Sequence, residues 1–325
     1  MGKIIKDTAL GICVFNEEKT LDKTLSSILE QSAYPEKVII VDGGSTDNTL
    51  KIINSFKSQF KAKKIKFNQL ICKGSLAESR NLVVKTASTE IIAFTDAGCY
   101  AKKSWFRDLV SCLLNSSDVE ISAGFYTMAT KSHFSQAYAC FVGVLPKYLD
   151  EYRFLPSTRS VAIRRTVFEK IGLFNEKLKV GEDTEFFYRA VKHNMKIKVC
   201  KSAQVVWFEL ADINLFSAAK KFYNYAKADA LTGIIWHPKQ GFSTHFIKIL
   251  SVYIRYLFFI FLVFVKWQWF FIIYGIYLFY CYNKFLKEKI PVRTRIYFPL
   301  IQVLSDFAVM AGFFNGYISA KLNQN

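Results

Sequence analysis

Short apolar runs alternate with helix-period segments along the first two thirds of this chain. LGICVF (10–15), KVIIVD (37–42), IKFNQLIC (65–72) and EIIAFTD (90–96) read as strands bounded by polar turns. Between them KTLDKTLSSILEQS, DNTLKIINSFKSQF and SLAESRNLVVKTA repeat apolar positions at helical spacing, the second with Asp47 as its N-cap. Alternation of this kind, from Thr8 to about Val206, predicts an α/β domain with a mostly parallel sheet and helices on both faces. After Trp105 the order loosens: SWFRDLVSCLLNS reads as helix and VEISAGFY as extended chain. Residues 157–174 and 181–194 read as two segments that close over the sheet. The second begins a helix at Asp183 or Thr184, so Glu182 and Asp183 sit at its positive end, where carboxylates stay ionised.

The pattern changes after residue 212. From Ile213 to Ala230 a helical period sets Leu215, Ala219, Phe222, Ala226 and Ala230 on one face and Lys220, Asn224 and Lys227 on another, an amphipathic basic helix suited to a membrane interface. Phe246–Val265 is interrupted only by Lys248 and Arg255, and Trp267–Tyr282 carries no charge. A spanning helix needs about 20 apolar residues to cross about 30 Å, so the first stretch is long enough and the second is short. Lys266 between them predicts a helical hairpin, spanning or dipping into one leaflet. Tyr297–Ile318 is a third apolar segment, with Asp306 inside it and the spacing Gly312, Gly316 of a helix-packing pair. The expected organisation is therefore an α/β domain over 1–212, an amphipathic connector over 213–245, and membrane segments over 246–325, made of a hairpin (246–282) and a third segment (297–318).

Charge and composition narrow the partners. A net charge of +18 at pI near 9.5 calls for a polyanion, either nucleic acid or an anionic membrane face. Aromatic residues make up 16% of the chain and crowd the C-terminal apolar segments, and the basic residues gather there too, not on an aromatic sheet face. Anionic membrane lipids are the expected partner and nucleic acid is excluded. The basic loop Lys284–Arg295 puts its side of the membrane in the cytoplasm by the positive-inside rule. Seven scattered cysteines without a C-x-x-C pair read as reduced thiols, with neither a zinc site nor a disulfide framework. Lys3 and Lys6 before Ala9–Phe15 imitate a signal peptide, but no small-residue cleavage site follows, and the stretch reads as a first strand.

The candidate chemistry is acidic. FNEE (15–18), VDGGSTDNT (41–49), FTDAG (94–98) and GEDTEF (181–186) punctuate the α/β region, and Glu17, Asp42 and Asp96 fall at carboxyl ends of predicted strands. In an open α/β sheet that rim is where ligands bind.

With SRN at 79–81 and RSVAIRR at 159–165, these segments in this order resemble the membrane-anchored group of family 2 glycosyltransferases, over about residues 8–230. The resemblance implies a GT-A fold, a Rossmann-like mostly parallel sheet, with a C-terminal helical membrane-associated region. It implies a UDP- or GDP-sugar donor, with Asp42 bonded to the nucleotide base and Phe15, Asn16, Glu17 and Gly44 around it. An acceptor-only carboxylate suits the N–H of uracil or guanine; read from the residues alone, Asp42 equally caps the turn at Gly43 and Gly44. Asp96 matches the first place of the family's Asp-x-Asp metal motif, which carries Mg²⁺ or Mn²⁺, while the second place is Gly98. One carboxylate with substrate phosphates makes a weak site for a hard ion. His237 in GIIWHPKQ is either a distant extra ligand or an interfacial residue.

Asp183 matches the family's general base, with Glu182 orienting the site; the plain alternative is an N-capping Asp on an ordinary helix. Inversion requires one carboxylate to take the acceptor's proton as its oxygen attacks the anomeric carbon. Cations must help neutralise the departing diphosphate, and Arg80, Arg159, Arg164 or Arg165, and Lys227 are the candidates. No Q-x-x-R-W pattern of processive synthases is present, so one sugar per encounter is expected. The whole points to an inverting glycosyltransferase at the cytoplasmic face of a cell membrane, acting on a lipid-linked or membrane-proximal acceptor in envelope glycan synthesis. Two other classes compete. One is a scaffold that binds nucleotide sugar but is impaired by Gly98. The other is a GT-A-like nucleotidyltransferase, whose glycine-rich basic loop FNEEKTLDK lacks.

Overall fold

The computed structural model describes residues 2–151, 154–178, 180–208, 211–232 and 244–322, and of 244–248 the backbone alone. These residues form two compact units, Met1–Ala129 with Phe154–Glu209, and Thr130–Arg153 with Leu210–Asn325.

The first unit opens with β1 (Lys3–Val14), α1 (Leu21–Leu29), β2 (Ala33–Asp42), α2 (Thr49–Ala62), β3 (Lys66–Ile71), α3 (Leu76–Ala87) and β4 (Ile91–Asp96). The alternation read from the sequence is thus present element by element. Asp47 stands one residue ahead of the N-cap of α2 and still accepts the Thr49 N–H at 2.9 Å, while Ser75 caps α3 by accepting the Glu78 N–H. The four strands pair in parallel in the order β3-β2-β1-β4. Val14 lies opposite Asp42, and Cys13 opposite both Val41 and Asp96. Register alone therefore brings the carboxyl ends of three strands to one rim.

The sheet continues through β5 (Cys99–Ala101), α4 (Trp105–Leu114), β6 (Ile121–Met128), β7 (Val161–Arg164), α6 (Arg165–Ile171), α7 (Glu182–Lys192) and β8 (Ile197–Trp207), α5 (His133–Val142) belonging to the second unit. The full order is β3-β2-β1-β4-β7-β6-β8-β5, with β7 antiparallel to both neighbours and β5 antiparallel to β8. The stretch 157–174 departs from its reading as a cover. Val161, Ala162 and Ile163 are fully buried inside the sheet, and a run buried on both faces shows no alternation by which to recognise a strand.

One apolar cluster lies under the rim. Val83 and Val84 of α3, Ile39, Val41, Ile92 and Phe94 of the strands, and Phe168, Phe174, Phe186 and Phe187 belong to it. The Phe174 and Phe186 rings pack at a tilt of 34° with centroids 4.5 Å apart, which ties α7, and so Glu182 and Asp183, to the core. Truncating a buried Phe of this kind to Ala costs about 3–5 kcal/mol.

In the second unit α8 (Leu215–Thr232) buries Ala218, Phe222, Ala226, Ala228 and Ala230; of the stripe expected from the sequence Phe222, Ala226 and Ala230 are buried, while Leu215 is exposed. It packs against the last helix of a series comprising α9 (Thr244–Val265), α10 (Trp267–Tyr282), α11 (Val292–Arg295) and α12 (Tyr297–Leu322). Gly312 and Gly316 make the close crossing: a Cβ at either would lie 2.2 Å from the Tyr223 carbonyl oxygen or 2.5 Å from that of Lys227. The GxxxG spacing is a helix-packing pair. Asp306 is buried between helices, paired with Arg255 at 2.8 Å and accepting from Tyr277 Oη at 2.5 Å and Gln302 Nε2 at 2.8 Å. Among the described residues one helical stretch, Val292–Leu322, is long and apolar enough to cross a bilayer; Ile249–Val265 and α10 are shorter.

Candidate active site

The loops after β1 and β2 are laced together. Asn16, in the left-handed region at φ +54°, receives the Thr46 N–H on Oδ1 at 2.8 Å and gives its own N–H to Ser45 Oγ at 2.8 Å. Glu17 donates its N–H to Thr49 Oγ1, and its Oε2 accepts from Thr20 at 2.5 Å. Asp42 is fully buried; Oδ2 accepts the N–H groups of Gly44 and Ser45 at 3.0 and 2.9 Å, and Oδ1 accepts the Ser45 hydroxyl. Its carboxylate shapes the turn, and Gly44 at φ +90° supplies the conformation a side chain resists. Phe15 is 60% exposed, its ring lying over Gly43.

A cavity of about 540 Å³ opens on this rim, lined by Phe15, Glu17, Gly43, Lys73, Asp96 and Trp207 among others. Cys13 is part of its wall. Burial pushes that thiol up to about 12, so it is an inert surface and not a nucleophile.

Four charges alternate beside the cavity. Glu182 accepts from Arg80 Nη1; Arg80 Nη2 lies 3.4 Å from Asp96 Oδ1; Asp96 Oδ2 lies 3.8 Å from Arg159 Nε. The series draws on α7, α3, the end of β4 and the loop before β7. Burial works against the charge on Arg80, yet Asp96, Glu182 and Asp183 around it hold its pKa above the ordinary value. Burial likewise pushes the Glu182 carboxyl up, Arg80 opposing and Asp183 adding to the rise. Arg159 lies 3.8 Å from the Trp207 ring centroid and 5.2 Å from that of Tyr126, and gives Nη1–H to Ser157 Oγ at 3.0 Å. Asp183, half-buried in the first turn of α7, accepts its neighbour's Thr184 N–H at 2.8 Å; its other oxygen is 3.4 Å from the hydroxyls of Ser157 and Thr158.

The rim thus unites Phe15, Asn16, Glu17, Asp42, Gly44 and Asp96, and the ion-pair series joins Arg80, Arg159 and Glu182 to it, with Asp183 one hydroxyl away from Arg159. Arg164 and Arg165 stand elsewhere. Arg164 pairs with Ile91 at the amino end of β4 and bonds to Val119 and Leu113 carbonyls, and Arg165 bonds to that of Thr89. They brace the end of the sheet opposite the rim. Lys227 lies on α8 in the second unit, and His237 falls outside the described residues. Lys73, Trp207 and Ser157 escaped the sequence reading. Lys73 follows β3 and is findable by the same strand-end rule as the carboxylates; Trp207 ends β8 between Val206 and Phe208 and reads as one more apolar strand position.

The donor set for Mg²⁺ or Mn²⁺ is thin. Asp96 faces two guanidinium groups, and Gly98 stands where a second carboxylate would; among the described residues no group of three His, Cys, Asp or Glu side chains could hold a metal. The two carboxylates that line the cavity are engaged elsewhere, Asp96 with Arg80 and Arg159 and Glu17 with Thr20, which is a poor set for a hard cation seeking six or more oxygens. These residues do not fit a protein-held metal centre.

A parallel rim of acidic strand ends beside a cationic series, on a sheet of this order, defines a transferase of GT-A fold. The family model described as Glycosyl transferase family 2 matches residues 10–178, over half of the chain, and the chain belongs to that family. Glycosyltransferase AglE of Haloferax volcanii is 28% identical over 184 residues, 55% of this chain and 59% of that protein. The poly-beta-1,6-N-acetyl-D-glucosamine synthase of Staphylococcus epidermidis is 40% identical over 87 residues, 26% of this chain and 20% of that one. The chain therefore covers less than two thirds of the length of these relatives. The crystal structure of Staphylococcus aureus TarS 1–349 in complex with UDP superposes with a TM-score of 0.51 at 18% identity, covering 98% of this chain and 92% of the other, a likeness of fold.

Proposed function

We propose that this enzyme moves one sugar, with inversion, from a UDP- or GDP-sugar to a hydroxyl of a lipid-linked or membrane-proximal acceptor. The observation that carries the reading is the position of Asp183, half-buried at the positive end of α7 and linked through Ser157 to Arg159 and Asp96 at the cavity. The acceptor hydroxyl gives its proton to Asp183 as its oxygen bonds to the anomeric carbon from the face opposite the nucleotide. The bond from that carbon to the diphosphate oxygen breaks, and the nucleoside diphosphate leaves with the electron pair. Its added charge is met by the cations beside the cavity. Asp42 serves the nucleotide by holding the Gly43–Ser45 turn against which the base lies, and Phe15 offers its exposed ring to that base. Glu182, buried against Arg80, positions without touching substrate.

The membrane part of the proposal is supported by the second unit. Leu257, Phe261, Phe264, Trp267, Phe271, Ile276 and Phe279 are exposed on α9 and α10, an apolar surface far beyond what a soluble monomer leaves open. The basic residues of Lys284–Arg295 adjoin it, which suits the cytoplasmic face of an anionic leaflet. The buried Arg255–Asp306 pair fits the rule that charges among apolar helices pair inside the bundle.

The test is a panel of UDP- and GDP-sugars incubated with the detergent-solubilised protein and a membrane lipid extract, read as nucleoside diphosphate released and as labelled sugar in the lipid phase. One donor giving both signals supports the reading. Release without lipid labelling refutes the lipid acceptor, and binding without release from any donor moves the scaffold reading forward.

A further inference from the structure

A side chain can start at Gly98 without a clash. A Cβ there would meet only Trp207 Cδ1 and Nε1, both at an ordinary 3.8 Å. A carboxylate at that place is thus missing by sequence and not by crowding. What stands over it instead is Trp207, fixed by pairing with Cys99 and by the Phe208 N–H on the Gly98 carbonyl at 2.9 Å. Trp207 in turn carries the Arg159 guanidinium on its face.

Asp96 is already committed to two guanidinium groups, Arg80 at 3.4 Å and Arg159 at 3.8 Å. Glu182, Arg80, Asp96 and Arg159 balance one another charge for charge. A divalent cation entering beside Asp96 would be set against both arginines, whereas a diphosphate would meet them as partners. Arg159 is suited to that: it lies on an aromatic face, and a planar guanidinium fork is the donor group that matches two phosphate oxygens at once. Arg159 is joined to the cavity through two of its lining residues, Asp96 and Trp207, and Lys73, whose stem lies across Gly44, lines it directly.

Resting on the donor reading given under the proposed function, we propose that the donor diphosphate is held by Arg159 on Trp207 together with Lys73, that Asp96 is a positioning residue for Arg80 and Arg159, and that donor binding needs no divalent cation. Gly98 is the residue that sets this choice.

The experiment is calorimetric titration of the full chain in detergent with UDP, GDP, uridine and guanosine, each in EDTA and in Mn²⁺. One of the two diphosphates binds with affinities in EDTA and Mn²⁺ that agree within about threefold. Because a lost charge-assisted hydrogen bond costs roughly 1.5–3 kcal/mol, Arg159→Gln weakens that diphosphate at least about tenfold while its nucleoside binds as before. Gly98→Asp gains what the natural chain lacks, Mn²⁺ now tightening diphosphate binding by about tenfold. Binding by the natural chain that collapses in EDTA and returns with Mn²⁺ overturns the proposal, and this comparison stands even if the Arg159 variant fails to fold. So does an Arg159→Gln variant that keeps full diphosphate affinity. If none of the four compounds binds with either addition, the donor reading itself falls, and the inference with it.

Discussion

Arg80 of α3 and Glu182 of α7 lie 102 residues apart in sequence and form a buried ion pair, each side chain less than a tenth exposed. The pair ties the helix that opens with Glu182 and Asp183 to a helix packed on β1 and β2. Breaking it from one side leaves a charge buried without its partner, which costs about 3–5 kcal/mol, whereas replacing both by apolar residues of similar size is often near neutral. Arg80→Met should therefore lower stability by about that amount, and adding Glu182→Met should restore much of it. Guanidinium unfolding of the two single variants and the double checks the cycle.

Burial raises the Glu182 carboxyl above its ordinary 4.5, and Asp183 adds to the rise against the pull of Arg80. From pH 4.5 up to the raised value, the folded chain keeps a proton that the unfolded chain has released. Stability contributed by this group is therefore full below that window and falls as pH rises through it. The Glu182→Gln variant loses this dependence, so its unfolding free energy plotted against pH is flatter above 4.5 than that of the natural chain.

Gly312 and Gly316 let α12 touch the backbone of α8. A leucine at Gly316 collides with the Lys227 carbonyl and the Ala230 methyl, and overpacking of this kind costs about 1–3 kcal/mol. Gly316→Leu should lower the helix-melting temperature in detergent. Gly275, inside α10 and with nothing within 4 Å of its missing Cβ, is the control: Gly275→Ala should not lower melting.

The single displacement proposed for Asp183 predicts the stereochemistry. An α-linked nucleotide sugar should give a β-linked product, read from the anomeric proton coupling of the freshly formed glycoside. An α-linked product would contradict the proposed displacement.

Much of the first unit was legible because its strands end on polar punctuation. Val14, Asp42 and Asp96 close three parallel strands whose apolar runs and turn residues are plain in the sequence, and register then converges them. The ion-pair series was less legible. Arg80 and Arg159 stood among several arginines, and only packing separates them from Arg164 and Arg165, which have equal local credentials and bond to carbonyls at the opposite end of the sheet. β7 was hidden because Val161–Ile163 are buried on both faces. Trp207 was not singled out, since its partners, Gly98 and Arg159, lie far from it in sequence. The Gly312–Gly316 spacing was visible, but its partner helix was not.

The central claim is that Asp183 takes the acceptor's proton, and single-turnover measurements on Asp183→Asn test it most directly. The amide keeps the size of the side chain and one acceptor oxygen for the Thr184 N–H, its NH2 group now donating to the Ser157 and Thr158 hydroxyls, but it has no basic carboxylate. Nucleoside diphosphate binding should stay within about twofold of the natural chain, while the rate of sugar transfer falls by about 10²–10⁴, the span general-base catalysis supplies. A variant that binds normally and transfers sugar at an undiminished rate would contradict the account.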